Sequence, residues 1–342
     1  MQAMALTPLL LLLCSTPFLP SISEAQEMNV TEANGLSFDF YKKTCPSLES
    51  IVRSHMTAAL RSDIGNVAGL LRIFFHDCFV QGCDASVLLT GSSSEQSAVP
   101  NQTLRPNALA VINDLRNLIE SKCGRVVSCA DITVLATRDA VLLSGGPQIN
   151  IPLGRRDSLK PASVNTVNAN LPSPLSTVTD LLDAFKANKL GPEDLVALSG
   201  AHTVGVGHCN TFTNRLFPTV DPTMDPTFAK QLQKTCPTSG SPNTQVLDIQ
   251  TPNIFDNKYY VNLVNRRGVF TSDQGLFGDS RTKPIVQRFA ADQQQFFTKF
   301  ADAMVKLSQL GVLTGSQGEI RKNCAKPNSA RLDLLDDLLA TE

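Results

Sequence analysis

The segment Arg72-Ile-Phe-Phe-His76-Asp77-Cys78-Phe-Val-Gln-Gly82-Cys83-Asp84-Ala-Ser86 gathers a base, a cation, two carboxylates of the kind hard metals prefer and a pair of cysteines. A neutral imidazole can take a proton from a bound substrate, and a guanidinium beside it stabilises the charge that then develops. If Leu70 to Phe79 is helical, Arg72 and His76 stand four residues apart on one face, while Asp77, about 100° further round, points elsewhere. One helix end would then serve two sites. Arg72 is flanked by Gly69-Leu70-Leu71 and Ile73-Phe74-Phe75. A charge in such apolar company needs a partner, which implies an anionic cofactor or a polar cavity rather than a His-Arg pair on a solvated helix.

A second constellation lies at Leu198-Ser-Gly-Ala-His202-Thr203, downstream of Pro192-Glu-Asp194. Alone, His202 reads as a packed core histidine. Beside His76 it gains a second reading, because two histidines in apolar contexts suit opposite faces of a flat metal cofactor. His55 and His208 receive no role.

The elements that must carry these residues are helical. Ala108, Val111, Ile112, Leu115, Leu118 and Ile119 follow the i, i+3, i+4, i+7 spacing, as do Val178, Leu181, Leu182 and Phe185. A further helix is expected from about Gln293 to Leu310, with Phe297, Phe300, Met304 and Leu307 inward and Gly311 as its stop. Strand signals are sparse, and Pro/Gly-rich loops (Gly145 to Pro147, Leu171 to Pro174, Pro218 to Pro226) separate the helices, so the class is mainly α. No repeat or long low-complexity linker appears, and any two halves should pack closely around a shared cleft.

With 342 residues, Lys+Arg 30 against Asp+Glu 31 and 42% hydrophobic content, the chain can build a substantial core and lacks the basic footprint of a nucleic-acid binder. Leu9 to Leu13 followed by Ser23-Glu-Ala25 reads as a signal peptide over residues 1–25, too short to span a membrane, and no later run is long enough to do so. Of nine cysteines Cys14 falls in that segment, and the remaining eight, in a secreted chain, argue for four disulfides whose pairing spacing leaves open. Structural zinc is disfavoured because Cys-x-x-Cys pairs are missing. Asn29-Val-Thr31 and Asn101-Gln-Thr103 are glycosylation sequons, of which Asn29 is the expected acceptor. Residues 329–342 form an acidic, leucine-rich extension beyond the last cysteine, either a frayed terminal helix or a sorting propeptide.

Taken together the motifs resemble the plant secretory haem peroxidases, the class III family, over Leu36 to Asn328. They stand here as Phe40-Tyr-Lys-Lys-Thr-Cys-Pro46, Arg72 to Val80, Val127-Ser-Cys-Ala-Asp131, Gly154-Arg-Arg-Asp157, Leu198 to Thr203 and Phe255-Asp-Asn-Lys-Tyr-Tyr260. The resemblance implies a two-domain, mainly helical fold over residues 26–328, with one haem b between distal and proximal halves and His202 as the axial iron ligand. Asp273, in Thr271-Ser-Asp-Gln274, would accept from the other nitrogen of His202 and increase its imidazolate character. His76 would be the acid/base, Arg72 the stabiliser of the cleaving O–O bond, Phe75 a neighbour in the same catalytic group, and Asn101 the acceptor that keeps the working nitrogen of His76 basic. That role would bury Asn101 and leave its sequon unmodified.

The same resemblance implies two calcium ions. One would be held by Asp77, Val80, Gly82, Asp84 and Ser86, with Glu95 acting through water; the other by Thr203, Asp248, Thr251, the Ile254 carbonyl and Asp256. The plain alternative for the first group is a polar turn. The implied disulfides are Cys45 with Cys123, Cys78 with Cys83, Cys129 with Cys324 and Cys209 with Cys236. Asp131 with one of Arg155 and Arg156 would form a buried structural ion pair, and the Pro172 carbonyl would help hold aromatic donors at the haem edge. Ile149 stands where family members often have tryptophan, and the chain has none. The implied activity is reduction of hydrogen peroxide with two one-electron oxidations of phenolic donors, by a monomer that is secreted or, through its extension, vacuolar. A calcium-stabilised module without turnover, and a non-haem hydrolase using His76 and His202 on one ion, are the rival readings.

Overall fold

The computed structural model describes residues 35–328; the expected signal peptide, Asn29 and the acidic extension lie outside them. Helix dominates because apolar residues recur at helical spacing and because caps mark the helix starts. Helix α1 (Leu48–Ser62) buries Leu48, Val52, Met56 and Leu60, one stripe at four-residue steps. Helix α2 (Asn66–Cys78) is buried along most of its length, and α3 (Pro106–Cys123) starts on proline and stops at Gly124, whose φ is +74°. Helix α4 (Cys129–Leu143) is capped by the Ser128 side chain, which accepts from Asp131 N. These four pack on one another, with α2 lodged between α3 and α4.

The chain continues through α5 (Val164–Asn170), α6 (Val178–Ala187), capped by a Thr177/Asp180 box, and α7 (Pro192–Ser199). A single 3-10 turn, Gly200–Thr203, follows α7 directly. Strands β1 (Val206–His208) and β2 (Thr244–Val246) make the one antiparallel ladder among the described residues, with Gly207 opposite Gln245; α8 (Pro226–Thr235) lies between them in sequence. Helices α9 (Lys258–Val264), α10 (Thr271–Gly278), α11 (Lys283–Ala291) and α12 (Gln293–Leu307) complete the set. α12 packs on α7 and α11, α9 on α10 and α11, and α6 on α7 and α10. The first helical group touches the second where α2 meets the 3-10 turn.

Three expectations about these elements change. α2 begins at Asn66 rather than Leu70, adding a turn ahead of Arg72. α12 stops at Leu307, and Phe296 rather than Phe297 is the buried aromatic of its first turns, because Phe296 lies in register with Phe300 and Met304. Leu118 and Leu182 sit at the margins of their stripes and are only partly buried.

Four disulfides lie among the described residues: Cys45–Cys123, Cys78–Cys83, Cys129–Cys324 and Cys209–Cys236. The turn after α2 is further held by the C-terminal segment. Cys83 N donates to Leu310 O at 3.0 Å, and Gly82 (φ +139°) and Gly311 (φ +52°) approach so closely that a Cβ on either would strike the other's backbone neighbourhood. Arg155 and Asp131, both 0% exposed, pair at 2.8 Å, while Arg156 turns to Gln317 O and Gly318 O. Tyr41 OH and Gly154 N also donate to Asp131, at 2.7 and 2.8 Å, so the buried charge is fully partnered. Ile149 is buried, a well-packed residue.

Candidate active site

Helix α2 presents Arg72, Phe75 and His76 on one side, all partly buried, and turns Asp77 into the protein at 2% exposure. Asn101 closes a 3-10 turn, Val99–Asn101, and comes within 2.6 Å of His76, Oδ1 to Nδ1. Its amide nitrogen donates to Glu95 O at 2.9 Å, which fixes Oδ1 as the acceptor and makes the shared hydrogen that of His76 Nδ1. Nε2 of His76 is then the basic nitrogen, with no hydrogen-bond partner among the described residues. Burial, reinforced by the neighbouring Arg72 charge and opposed by Asn101, lowers the His76 pKa to about 3. The imidazole is therefore neutral over the ordinary pH range, as a base must be.

Arg72 donates to Thr103 O at 2.9 Å and to Pro100 O at 2.6 Å. It has no carboxylate partner among the described residues, and burial lowers its pKa from the usual guanidinium value. A cation braced only by carbonyls keeps its charge available for an anion or a developing negative charge. Phe75 lies 6.2 Å from the His76 ring in an edge arrangement and stacks on Phe79 at 4.6 Å, giving the base an apolar flank. Asn101 is 2% exposed with both ends of its amide used.

The second histidine is built in the same manner. His202 sits on the 3-10 turn after α7, and its Nδ1 lies 2.7 Å from Asp273 Oδ1 at the start of α10. Tyr259 OH donates to that same oxygen at 2.9 Å and Phe270 N to Oδ2 at 3.0 Å. The acceptor on Nδ1 leaves the Nε2 lone pair free, and the side chain is 38% exposed. Tyr259 and Phe270 flank the ring edge-on at 6.0 and 5.5 Å. A partly open imidazole with an unshared nitrogen, oriented from behind by a carboxylate, fits the axial ligand of a haem. Tyr259 and Phe270 escaped sequence reading: the tyrosine lies inside a quoted motif, but nothing in its type or spacing marks it as a partner of Asp273.

Beside each histidine lies an oxygen-rich cluster. Asp77 Oδ2 accepts from Ala85 N at 2.9 Å, Asp84 Oδ1 from Ser86 N at 3.0 Å and Glu95 Oε1 from Ala162 N at 2.7 Å. Ser86 Oγ and Glu95 Oε2 are buried without a partner. Burial raises the pKa of Asp77, Asp84 and Glu95, and the closeness of Asp84 and Glu95 raises Asp77 further. Orphaned oxygens next to mutually repelling carboxylates are what a hard cation would satisfy. Val80 and Gly82 lie in the turn between Asp77 and Asp84, where their carbonyls are the remaining donors.

In the other cluster Thr203 Oγ1 lies 2.9 Å from Asp248 Oδ2 and 3.3 Å from Asp256 Oδ1, and Thr251 Oγ1 lies 3.4 Å from Asp248 Oδ2. Thr203, Asp248 and Asp256 are buried; Ile254 exposes its side chain between Thr251 and Asp256. Among the described residues no three His, Cys, Asp or Glu side chains converge as a metal cluster, so either shell depends on hydroxyl and carbonyl oxygens. That composition suits calcium and is unsuited to zinc. Pro172 is partly buried in the loop from α5 to α6.

A family model described as Peroxidase matches residues 52–292. Peroxidase 12 of Arabidopsis thaliana is 57% identical over 298 residues, covering 86% of this chain and 83% of the relative. Cationic peroxidase SPC4 of Sorghum bicolor is 55% identical over 307 residues, 89% and 85% of the two chains, and Peroxidase 66 of Zea mays is 45% identical over 294 residues, 86% and 91%. The chain belongs to the plant class III peroxidase family. It is accordingly a haem peroxidase acting on hydrogen peroxide, and the mainly helical architecture is that of a peroxidase. No helix among the described residues is long and apolar enough to cross a membrane.

Proposed function

We propose that His202 holds the iron of one haem b and that His76, Arg72 and Asn101 activate hydrogen peroxide on its opposite face, with electrons drawn singly from phenolic donors. The observation that carries this reading is the pairing of two imidazoles, each anchored through Nδ1 and each leaving Nε2 free, at 2.6 Å to Asn101 and 2.7 Å to Asp273. The haem, when bound, supplies the iron that accepts peroxide and the electrons that divide it.

His76 takes the proton of hydrogen peroxide on Nε2 and returns it to the departing oxygen, which leaves as water. Asn101 fixes the tautomer that makes this possible. Arg72, held by Pro100 O and Thr103 O, stabilises the negative charge that grows on the leaving oxygen. Asp273 orients His202 and draws on its Nδ1 proton. Phe75 gives His76 an apolar flank, and the Pro172 carbonyl would accept from a donor hydroxyl at the haem edge.

The distal oxygen set (Asp77, Val80, Gly82, Asp84, Ser86, with Glu95 through water) and the proximal set (Thr203, Asp248, Thr251, Ile254, Asp256) would each hold one calcium. Each adjoins a histidine: Asp77 follows His76, and Thr203 follows His202. The family is secreted, and sorting to the vacuole would rest on residues 329–342. Steady-state turnover with a simple phenol tests the reading: two phenoxyl equivalents per peroxide in the wild type, and loss of that turnover with retained haem in His76→Ala. Equal turnover by His76→Ala would overturn it.

A further inference from the structure

Asp273 accepts from three donors, and two of them share one oxygen: His202 Nδ1 at 2.7 Å and Tyr259 OH at 2.9 Å both meet Oδ1. Tyr259 is 1% exposed, and its ring stands nearly perpendicular to that of His202. Its neighbour Tyr260, equally buried, donates instead to Val196 O at 2.8 Å and does not touch the carboxylate. We propose that Tyr259 is a positioning residue that moderates the pull of Asp273 on His202, and so sets the electron richness of the nitrogen facing the iron. The proposal rests on His202 being the iron ligand.

The argument is one of shared charge. A carboxylate oxygen accepting two hydrogen bonds is a weaker base toward each than one accepting a single bond. The phenol is a permanent donor in this place, because burial and the adjacent Asp273 charge hold its pKa well above the usual value. Removing the hydroxyl leaves Oδ1 to His202 alone, strengthens the Nδ1 hydrogen bond and makes Nε2 a stronger donor. A stronger donor favours the more oxidised metal.

The experiment uses the haem-loaded full chain and Tyr259→Phe, with Tyr260→Phe as the packing control. The readouts are the iron–histidine stretch of the ferrous protein by resonance Raman and the ferric/ferrous midpoint potential. Tyr259→Phe should raise the stretch frequency and favour the ferric form about tenfold, a fall of about 59 mV for one electron. Biosynthetic replacement of the three tyrosines by 3-fluorotyrosine, a stronger donor, should move both readouts the opposite way and serves if Tyr259→Phe fails to fold. Unchanged readouts in Tyr259→Phe, or an equal shift in Tyr260→Phe, overturn the proposal while leaving the ligand assignment standing. Absence of the iron–histidine stretch in the wild type overturns the ligand assignment and the proposal together.

Discussion

Replacing Asn101 by alanine removes two hydrogen bonds at a residue 2% exposed: the 2.6 Å bond to His76 and the 2.9 Å bond to Glu95 O. Glu95 O keeps its bond from Ala98 N at 3.0 Å, so only His76 Nδ1 is stranded, and at about 1–3 kcal/mol for such a group, discounted for the partial exposure of His76, the fold loses about 1–2 kcal/mol. The kinetic consequence is larger in relative terms. Without an acceptor on Nδ1, the neutral imidazole is free to carry its hydrogen on Nε2, where it blocks proton uptake. A hydrogen bond of about 1–1.5 kcal/mol biases that choice about tenfold. Lost orientation adds to this, within the ceiling of about 10²–10⁴ that general acid–base catalysis supplies. The reaction with peroxide, followed by rapid mixing as the rate at which the Soret band shifts, should therefore slow by about 10–100-fold. Asn101→Asp keeps an acceptor and should recover most of the rate. A rate for Asn101→Ala within about twofold of wild type, with haem fully bound, would refute the reasoning.

Because burial and Arg72 hold His76 neutral down to about pH 3, the peroxide step should stay flat from neutrality into the acid range. It should fall only where protonation of Nε2 removes the base; a fall centred on the ordinary imidazole pKa would contradict this, as read by rapid mixing across pH. Chelating the calcium proposed for the distal oxygen cluster should slow the same step and its return should restore it, since the Glu95 carbonyl joins that cluster to Asn101 through the 2.9 Å bond; an indifferent rate would separate the two sites. Asp131→Asn should destabilise the fold by about 3–5 kcal/mol in denaturant titration, because it strands the fully buried Arg155. The chain has no Trp, and its three Tyr (41, 259 and 260) are all buried. Peroxide without a donor should thus give no dityrosine-linked dimers on a denaturing gel.

Much of this architecture is legible in the residues. The α2 segment declares itself because an apolar run, a histidine and an arginine at four-residue spacing demand one helix face, and Val178 to Phe185 carries both a stripe and a capping box. Two adjacent phenylalanines leave the face of α12 undetermined until Phe300 and Met304 are packed, so the sequence points to Phe297 where the structure buries Phe296. The two histidines stand out in sequence, but the acceptors behind them do not: Asn101 is 25 residues from His76 and Asp273 is 71 from His202. Only the resemblance supplied those pairs before the structure joined them. Tyr259 illustrates the remainder. Its hydroxyl reaches Asp273 because α9 and α10 pack side by side, a tertiary fact that no local pattern encodes.

The most direct test of the account is the absorption spectrum of haem-loaded wild type and His76→Ala, before and after one equivalent of hydrogen peroxide. The account predicts a high-spin ferric Soret band in both resting proteins, shifting at once on peroxide in the wild type and only slowly in His76→Ala. A missing Soret band, or shifts of equal speed in the two proteins, would contradict it.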